Sequence, residues 1–170
     1  MVKKVELWRQ NTSPDNIANI WDALAVHNTH VEQYFSKSSQ IINLNFQEWL
    51  VVVRYCAQNV PSLWNYDDFI KTYQNSHDLS IIRSLLDIID KLRQVYGQIR
   101  QCLKIMGEQA GVPIEPDSQT SLLNKTIEQP GVIFAGVPGA GGYDAAFAIV
   151  FDPSAYPEYA LSPSYKGEIT

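Results

Sequence analysis

Gly136-Val137-Pro138-Gly139-Ala140-Gly141-Gly142-Tyr143-Asp144-Ala145 separates two apolar runs near the C-terminus of this chain. Before it stands Gly131-Val132-Ile133-Phe134-Ala135, and after it Ala145-Ala146-Phe147-Ala148-Ile149-Val150-Phe151. β-Branched and aromatic residues fill both runs, which predicts two short buried strands paired as an antiparallel hairpin. The glycines between them predict a loop with unusual backbone angles. Successive N–H groups of such a loop can converge on one concavity, a shape that suits a phosphate or a carboxylate. A glycine-rich loop alone does not name its ligand, because it also serves any hairpin that must pack tightly.

Upstream of the loop the chain reads as helical. A helix is predicted over 119–128, capped by Asp117 or Ser118, with Leu122, Leu123 and Ile127 facing inward and Pro130-Gly131 ending it. Pro113 and Pro116 enforce an extended link in front of it. The longest periodic run lies before that link. Leu79, Ile82, Leu85, Leu86, Ile89, Leu92, Tyr96, Ile99, Leu103 and Met106 trace one apolar stripe to Gly107, with Gly111 as the stop and Gly97 as a place for a kink. A further helix is expected over 46–58, ending before Pro61, and a short helix or turn over 63–73. Ser13-Pro14-Asp15 starts another, in which Ile17, Ile20, Trp21, Leu24 and Ala25 recur at helical spacing and 27–35 prolong the rod. Helices over 13–128 and a hairpin over 131–151 make an α+β fold, helix-rich, with the helices packed on a small and incomplete antiparallel sheet. One domain would cover 1–152, and 153–170 would form an irregular tail. The open edge of so small a sheet invites association.

Composition suits a folded domain. The 170 residues are 45% hydrophobic, with nine tyrosines, six phenylalanines and four tryptophans, enough to bury a core. A net charge of −5 without any lysine or arginine run gives no reason to expect nucleic acid. Apolar runs are too short to span a bilayer and no signal-peptide pattern opens the chain, so no membrane and a cytoplasmic location are expected. Cys56 and Cys102 sit in apolar helical contexts and read as reduced thiols.

The decapeptide as a whole is more specific than its glycines. It resembles the third motif of the GHMP small-molecule kinases, in the form found in eukaryotic phosphomevalonate kinases. Ile99-Arg100, Met106-Gly107, Ala110-Gly111-Val112-Pro113-Ile114-Glu115-Pro116, Gln119-Thr120, Leu122-Leu123 and Gly131-Val132 follow the family's order and spacing. The match is strong over 99–151 and fainter back to Val2-Lys3-Lys4-Val5 with Trp8, and to Trp21-Asp22-Ala23-Leu24. It corresponds to the C-terminal part of the family's proteins. Their ATP loop, of the type Pro-x-x-x-Gly-Leu-Gly-Ser-Ser-Ala, does not occur in these residues. Ser38-Ser39 is the nearest serine pair and has no glycine before it, and Gly-x-x-x-x-Gly-Lys-Ser/Thr is absent too.

The resemblance implies an ATP-dependent kinase acting on 5-phosphomevalonate in the mevalonate route to isoprenoids and sterols, with ATP and Mg2+ held by an N-terminal kinase domain missing from this chain. On that reading the chain alone is inactive. The alternative is a non-catalytic ligand-binding or interaction module derived from a GHMP kinase. A mevalonate kinase or a diphosphomevalonate decarboxylase is a narrower option, which Tyr143-Asp144 and Ile114-Glu115-Pro116 speak against.

Phosphoryl transfer needs negative charge to be positioned and neutralised. The loop holds no lysine, arginine, serine or threonine, so it cannot do this unaided. By resemblance, Pro138, Gly139, Ala140, Gly141 and Gly142 pack against the ATP loop and touch the phosphorylated substrate. Asp144 orients the loop, bonds substrate or a basic side chain, or caps loop amides. Arg100 matches the family's arginine before the Met-Gly pair, and a guanidinium can grip phosphate through two parallel hydrogen bonds. Lys104, four residues on, would complete an anion clamp on the same helix face. The competing reading of both is a solvated face. Glu115 and Gln119 either line the site or hold the turn of their segment. Asn124 stands where the family commonly has aspartate. No catalytic residue and no metal ligand is assigned in this chain.

Other candidates carry less. His27 and His30 share a helix face, yet no thiol or carboxylate cluster completes a metal site, so solvated histidines are expected. His77 beside Asp78 reads as local capping. Asn11-Thr12-Ser13 and Asn124-Lys125-Thr126 fit the glycosylation pattern by chance. Aromatic residues from Trp49 to Tyr73 read as core filler, since no basic groove accompanies them.

Overall fold

Two long helices and the short sheet they carry follow from a few local signals. The computed structural model describes residues 2–73, 78–138, 142–143 and 145–155. Helix α1 covers Val2–Asn11 and α2 covers Pro14–Leu44. Pro14 sits at the first turn of α2, and the Ser13 hydroxyl accepts the Asn16 N–H, the cap and start expected from Ser13-Pro14. α1 lies outside the helical span read from the sequence, and α2 runs nine residues beyond position 35. Ile41 and Ile42 explain the extension, because they pack against the main core.

Helix α3 covers Phe46–Gln58 with the bounds read from the sequence. A 3₁₀ turn at Pro61–Leu63 and helix α4 at Tyr66–Thr72 follow. Helix α5, Leu79–Ala110, is the spine of the fold and packs against α1, α2, α3, α4 and the sheet. The Asp78 carboxylate accepts the Ser80 and Ile81 N–H groups at its start, and Gly111, at φ 60°, closes its end. His77 lies outside the described residues.

The apolar stripe of α5 splits between clusters. Its first half, with Ile82, Leu85, Leu86 and Ile89, meets Val51–Val53, Tyr55 and Cys56 of α3, together with Trp64, Phe69 and Phe151. Rings in this cluster meet edge to face, Tyr55 on Phe69 at 5.0 Å and both Trp49 and Trp64 on Phe151 at 5.6 Å. Tyr55, Trp64 and Phe69 are therefore core, as expected of the aromatic segment. Val95 and Ile99 pack on Leu24 of α2, and Met106 packs with Trp8 of α1, Val112 and Ile114. Cys56 is a buried free thiol and Cys102 a half-buried one; burial pushes the Cys56 thiol well above its ordinary pKa.

Helix α6 covers Asp117–Thr126. It begins earlier than expected, with Pro116 at the cap position and no side-chain cap, so neither Asp117 nor Ser118 caps it. That frame turns Gln119 and Leu123 inward, while Leu122 is 53% exposed rather than inward-facing.

Strands β1, Val132–Gly136, and β2, Phe147–Val150, pair antiparallel with Ala135 opposite Ala148 and Gly136 opposite Phe147. The hairpin is as expected, but only β1 is largely buried. Ile149 and Val150 of β2 are 43% and 53% exposed. Apolar residues make a strand buriable, yet Ile149 and Val150, which point to opposite faces, are both left open among the described residues. Past Asp152, a 3₁₀ turn covers Pro153–Ala155, and the rest of the expected tail lies outside the described residues.

Candidate functional site at the glycine loop

The site grows from one short link. After Gly111, the Val112 N–H bonds to the Gly107 carbonyl at 2.9 Å, folding residues 112–116 back along α5. This return needs a glycine at 107. A Cβ there would lie 2.8 Å from the Val112 oxygen and 3.2 Å from the Ile114 Cβ, closer than packed atoms tolerate. Trp8, Met106, Val112 and Ile114 cluster beneath the link, which gives the faint N-terminal resemblance around Trp8 a physical place.

Arg100 and Glu115 meet across this return. Arg100 Nε donates to Glu115 Oε2 at 3.0 Å and Nη2 to Oε1 at 2.6 Å, and Nη2 also reaches Asn124 Oδ1 at 3.2 Å. Their side chains are only 10% and 2% exposed. Arg100 is thus not on a solvated face. Its parallel hydrogen bonds, expected to grip a phosphate, are made to a carboxylate instead. Glu115 accepts from a side chain, where turn-holding bonds to backbone had been the alternative. Asn124, in the place where the family commonly has aspartate, completes the arginine's partners among the described residues. A second acid there would leave the buried set with excess negative charge.

Lys104 lies one turn further along α5. Its Nζ donates to Asp117 Oδ1 at 2.7 Å and to Thr120 Oγ1 at 3.3 Å. Asp117 is 96% exposed, whereas the lysine side chain is 28% exposed, its stem lying along the protein. The hydrogen bond to Asp117 raises the Lys104 pKa, and the same bond lowers that of Asp117. An exposed ion pair exchanges partners readily, while breaking a buried one costs about 3–5 kcal/mol. The order of the two cations is therefore reversed. Lys104 is the more accessible of the two, and Arg100 belongs to the frame.

The glycine loop rests on the same link. The Gly142 N–H donates to the Ile114 carbonyl at 3.0 Å, and Gln119 Nε2 donates to the Tyr143 carbonyl at 3.0 Å. Gly142 has φ 107°, a region closed to most side chains. Its amide is already satisfied, which corrects its expected part as a phosphate donor: Gly142 anchors the loop. Gln119 is buried and bonds a loop carbonyl, and its Oε1 is shielded without a partner among the described residues. Pro138 follows β1. Gly139, Ala140, Gly141 and Asp144 lie outside the described residues.

Two side chains matter here that no motif marked. Tyr96 of α5 stacks on Phe134 at 4.2 Å and meets Phe147 edge-on at 6.0 Å. A Cβ at Gly136 would lie 2.6 Å from the Tyr96 hydroxyl, so the loop's first glycine admits that ring. Burial raises the Tyr96 pKa. Arg93 donates to the carbonyls of Val132, Ile133 and Ile127 at 2.7, 2.8 and 3.1 Å. Its guanidinium carbon lies 5.2 Å from the Trp64 ring centre. It ties α5 to both ends of the turn between α6 and β1. The signal available in the sequence was a basic residue at helical spacing three places before Tyr96, which pattern alone reads as surface.

The remaining sequence candidates do not join the site. His27 is half-buried, with Nδ1 shielded and without a partner among the described residues, rather than solvated. No group of His, Cys, Asp and Glu among the described residues could hold a metal ion.

The family model for the C-terminal region of GHMP kinases matches residues 82–158. The match takes in most of α5, the link, α6 and the hairpin. Among curated proteins, the chain is 34% identical over 154 residues to "Phosphomevalonate kinase, peroxisomal" of Arabidopsis thaliana, covering 91% of this chain and 28% of that protein. It is 39% identical over 87 residues to "Phosphomevalonate kinase" of Candida albicans, covering 51% of this chain and 18% of that protein. The match to "Phosphomevalonate kinase ERG8" of Gibberella zeae is 41% identical over 64 residues, 38% of this chain and 14% of that protein. The chain thus spans under a third of the length of these relatives. No solved structure gives a significant match. No described helix is long and apolar enough to cross a membrane.

Proposed function

We propose that this chain is the acceptor-side part of an ATP-dependent phosphomevalonate kinase, passing the γ-phosphoryl of ATP to 5-phosphomevalonate to give 5-diphosphomevalonate and ADP. One observation carries the reading. Motif residues far apart in sequence, Arg100, Lys104, Ile114, Glu115, Gln119 and Gly142, converge on one link and seat the glycine loop on it. The relatives' names, over 91% of the chain in the Arabidopsis case, support the same substrate.

On this proposal Lys104 releases Asp117 to pair with the acceptor's phosphate. Because that lysine is poised rather than buried, the cation can follow the charge that builds on the phosphoryl oxygens. Among the described residues no group of three or more His, Cys, Asp and Glu could hold a metal ion. Mg2+ and ATP would be held by an ATP-loop domain outside these 170 residues, a partner the chain needs for turnover. The product would enter isoprenoid and sterol synthesis. We place the reaction in the cytoplasm, a location that imaging of the tagged protein checks against the "peroxisomal" of the Arabidopsis relative's name.

The test is ADP release dependent on 5-phosphomevalonate, measured for the chain alone and joined to an ATP-loop domain. The chain alone should be silent and the joined protein active. Lys104→Ala in the joined protein should raise KM for the acceptor about tenfold, the worth of one charge-assisted contact. Turnover by the chain alone refutes the need for the other domain. Silence of the joined protein toward 5-phosphomevalonate refutes the substrate.

A further inference from the structure

Gln119 is 8% exposed, at an inward position of α6 that Leu or Met would fill without polar atoms. Its Oε1 is shielded and takes no donor among the described residues, an unfavourable arrangement for a lone acceptor. What glutamine gains over an apolar residue is its Nε2 donor, which goes to the Tyr143 carbonyl at 3.0 Å. The adjoining Gly142 N–H goes to the Ile114 carbonyl, also at 3.0 Å. Ile114 is in turn next to Glu115, locked to Arg100 at 2.6 and 3.0 Å. Neighbouring polar groups of the loop are therefore held from α6 and from the link, one contact through a side chain and one through backbone.

We propose that Gln119 is a positioning residue, which holds Gly142 and Tyr143 at the exit of the glycine loop through the Tyr143 carbonyl and so supports the binding of a phosphorylated ligand beside them. The ligand part rests on the function proposed above; the loop-setting part does not. Gln119 does not line the site in this account, because its amide is shielded and faces the loop backbone.

Hydrogen exchange at the Gly142 amide tests the loop-setting part in the full 170-residue chain. Gln119→Leu should speed that exchange about five- to tenfold, the worth of one hydrogen bond, with the Leu85 and Leu86 amides of α5 unchanged. Gln119→Glu keeps the shape but replaces the donor by a carboxylate oxygen. It should also loosen Gly142 at neutral pH, and regain protection on acidification as the introduced carboxyl gains a proton to donate. Phe69→Leu, a core change in α4, should lower overall stability without selecting Gly142. Titration with 5-phosphomevalonate, followed by NMR, reads the second part. The Kd should rise about five- to tenfold in Gln119→Leu and stay within twofold in Phe69→Leu. Unchanged Gly142 protection in Gln119→Leu, or no acid recovery in Gln119→Glu, overturns the proposal. If the unaltered chain binds no 5-phosphomevalonate while the exchange pattern holds, the substrate reading falls and the loop-setting role stands.

Discussion

Arg100→Met should be the most damaging single change in the link region. It keeps the length of the side chain but leaves the Glu115 carboxylate, 2% exposed, without the two hydrogen bonds at 3.0 and 2.6 Å. Asn124 loses its 3.2 Å partner as well. Removing one member of a buried pair costs about 3–5 kcal/mol, chiefly the burden of the stranded charge. For a domain of this size a kilocalorie shifts Tm by about 2–4 °C, so Tm should fall by about 6–20 °C. The double variant Arg100→Met/Glu115→Leu removes the stranded charge and should recover most of that loss. Thermal unfolding followed by circular dichroism, with urea unfolding to confirm an unchanged m value, reads all three proteins. A single variant within about 1 kcal/mol of the parent, or a double variant less stable than the single, would refute the argument that Arg100 is frame rather than ligand clamp.

Other substitutions test neighbouring statements. Gly107→Ala should cost about 1–3 kcal/mol, because its methyl would meet the Val112 oxygen at 2.8 Å, and the link should lose exchange protection at Val112. Gly97→Ala, where a Cβ meets nothing within 4 Å, should stabilise α5 by about 0.5–1 kcal/mol in urea unfolding. Asp117 is held below the ordinary carboxylate range by Lys104, so its contribution is present above that range and is lost as pH falls through the lowered pKa. Lys104→Met should return the Asp117 titration, followed by carbon NMR, toward the ordinary value; an unmoved titration would remove the pair.

Periodicity made the spine legible. Ile82 to Met106 mark the side of α5 that meets its neighbours, whereas Leu79, read into the same stripe, is 42% exposed at the helix start; Phe46–Gln58 is followed by Pro61 and dense in buried apolar residues. Where contacts decide rather than pattern, reading failed. Ser36 to Gln40 look like a helix end, yet Ile41 and Ile42 find a core to pack on and carry α2 forward. β2 looks buried because its residues are apolar, although nothing described covers its Ile149 and Val150. Around the link, the motif marked residues that meet in the fold without indicating their pairings. Arg100 and Lys104 are equivalent by spacing, and only the burial of Glu115 against the exposure of Asp117 separates them. The spacing of Arg93 reads as surface, since its partners are backbone carbonyls about forty residues away.

That last arrangement has a physical sequel. Arg93 is satisfied by neutral carbonyls and an aromatic face, whereas Lys104 relies on a carboxylate open to solvent. Mobile ions weaken the second kind of contact far more than the first. Raising ionic strength should therefore loosen the Lys104–Asp117 rim while the underlying scaffold keeps its shape.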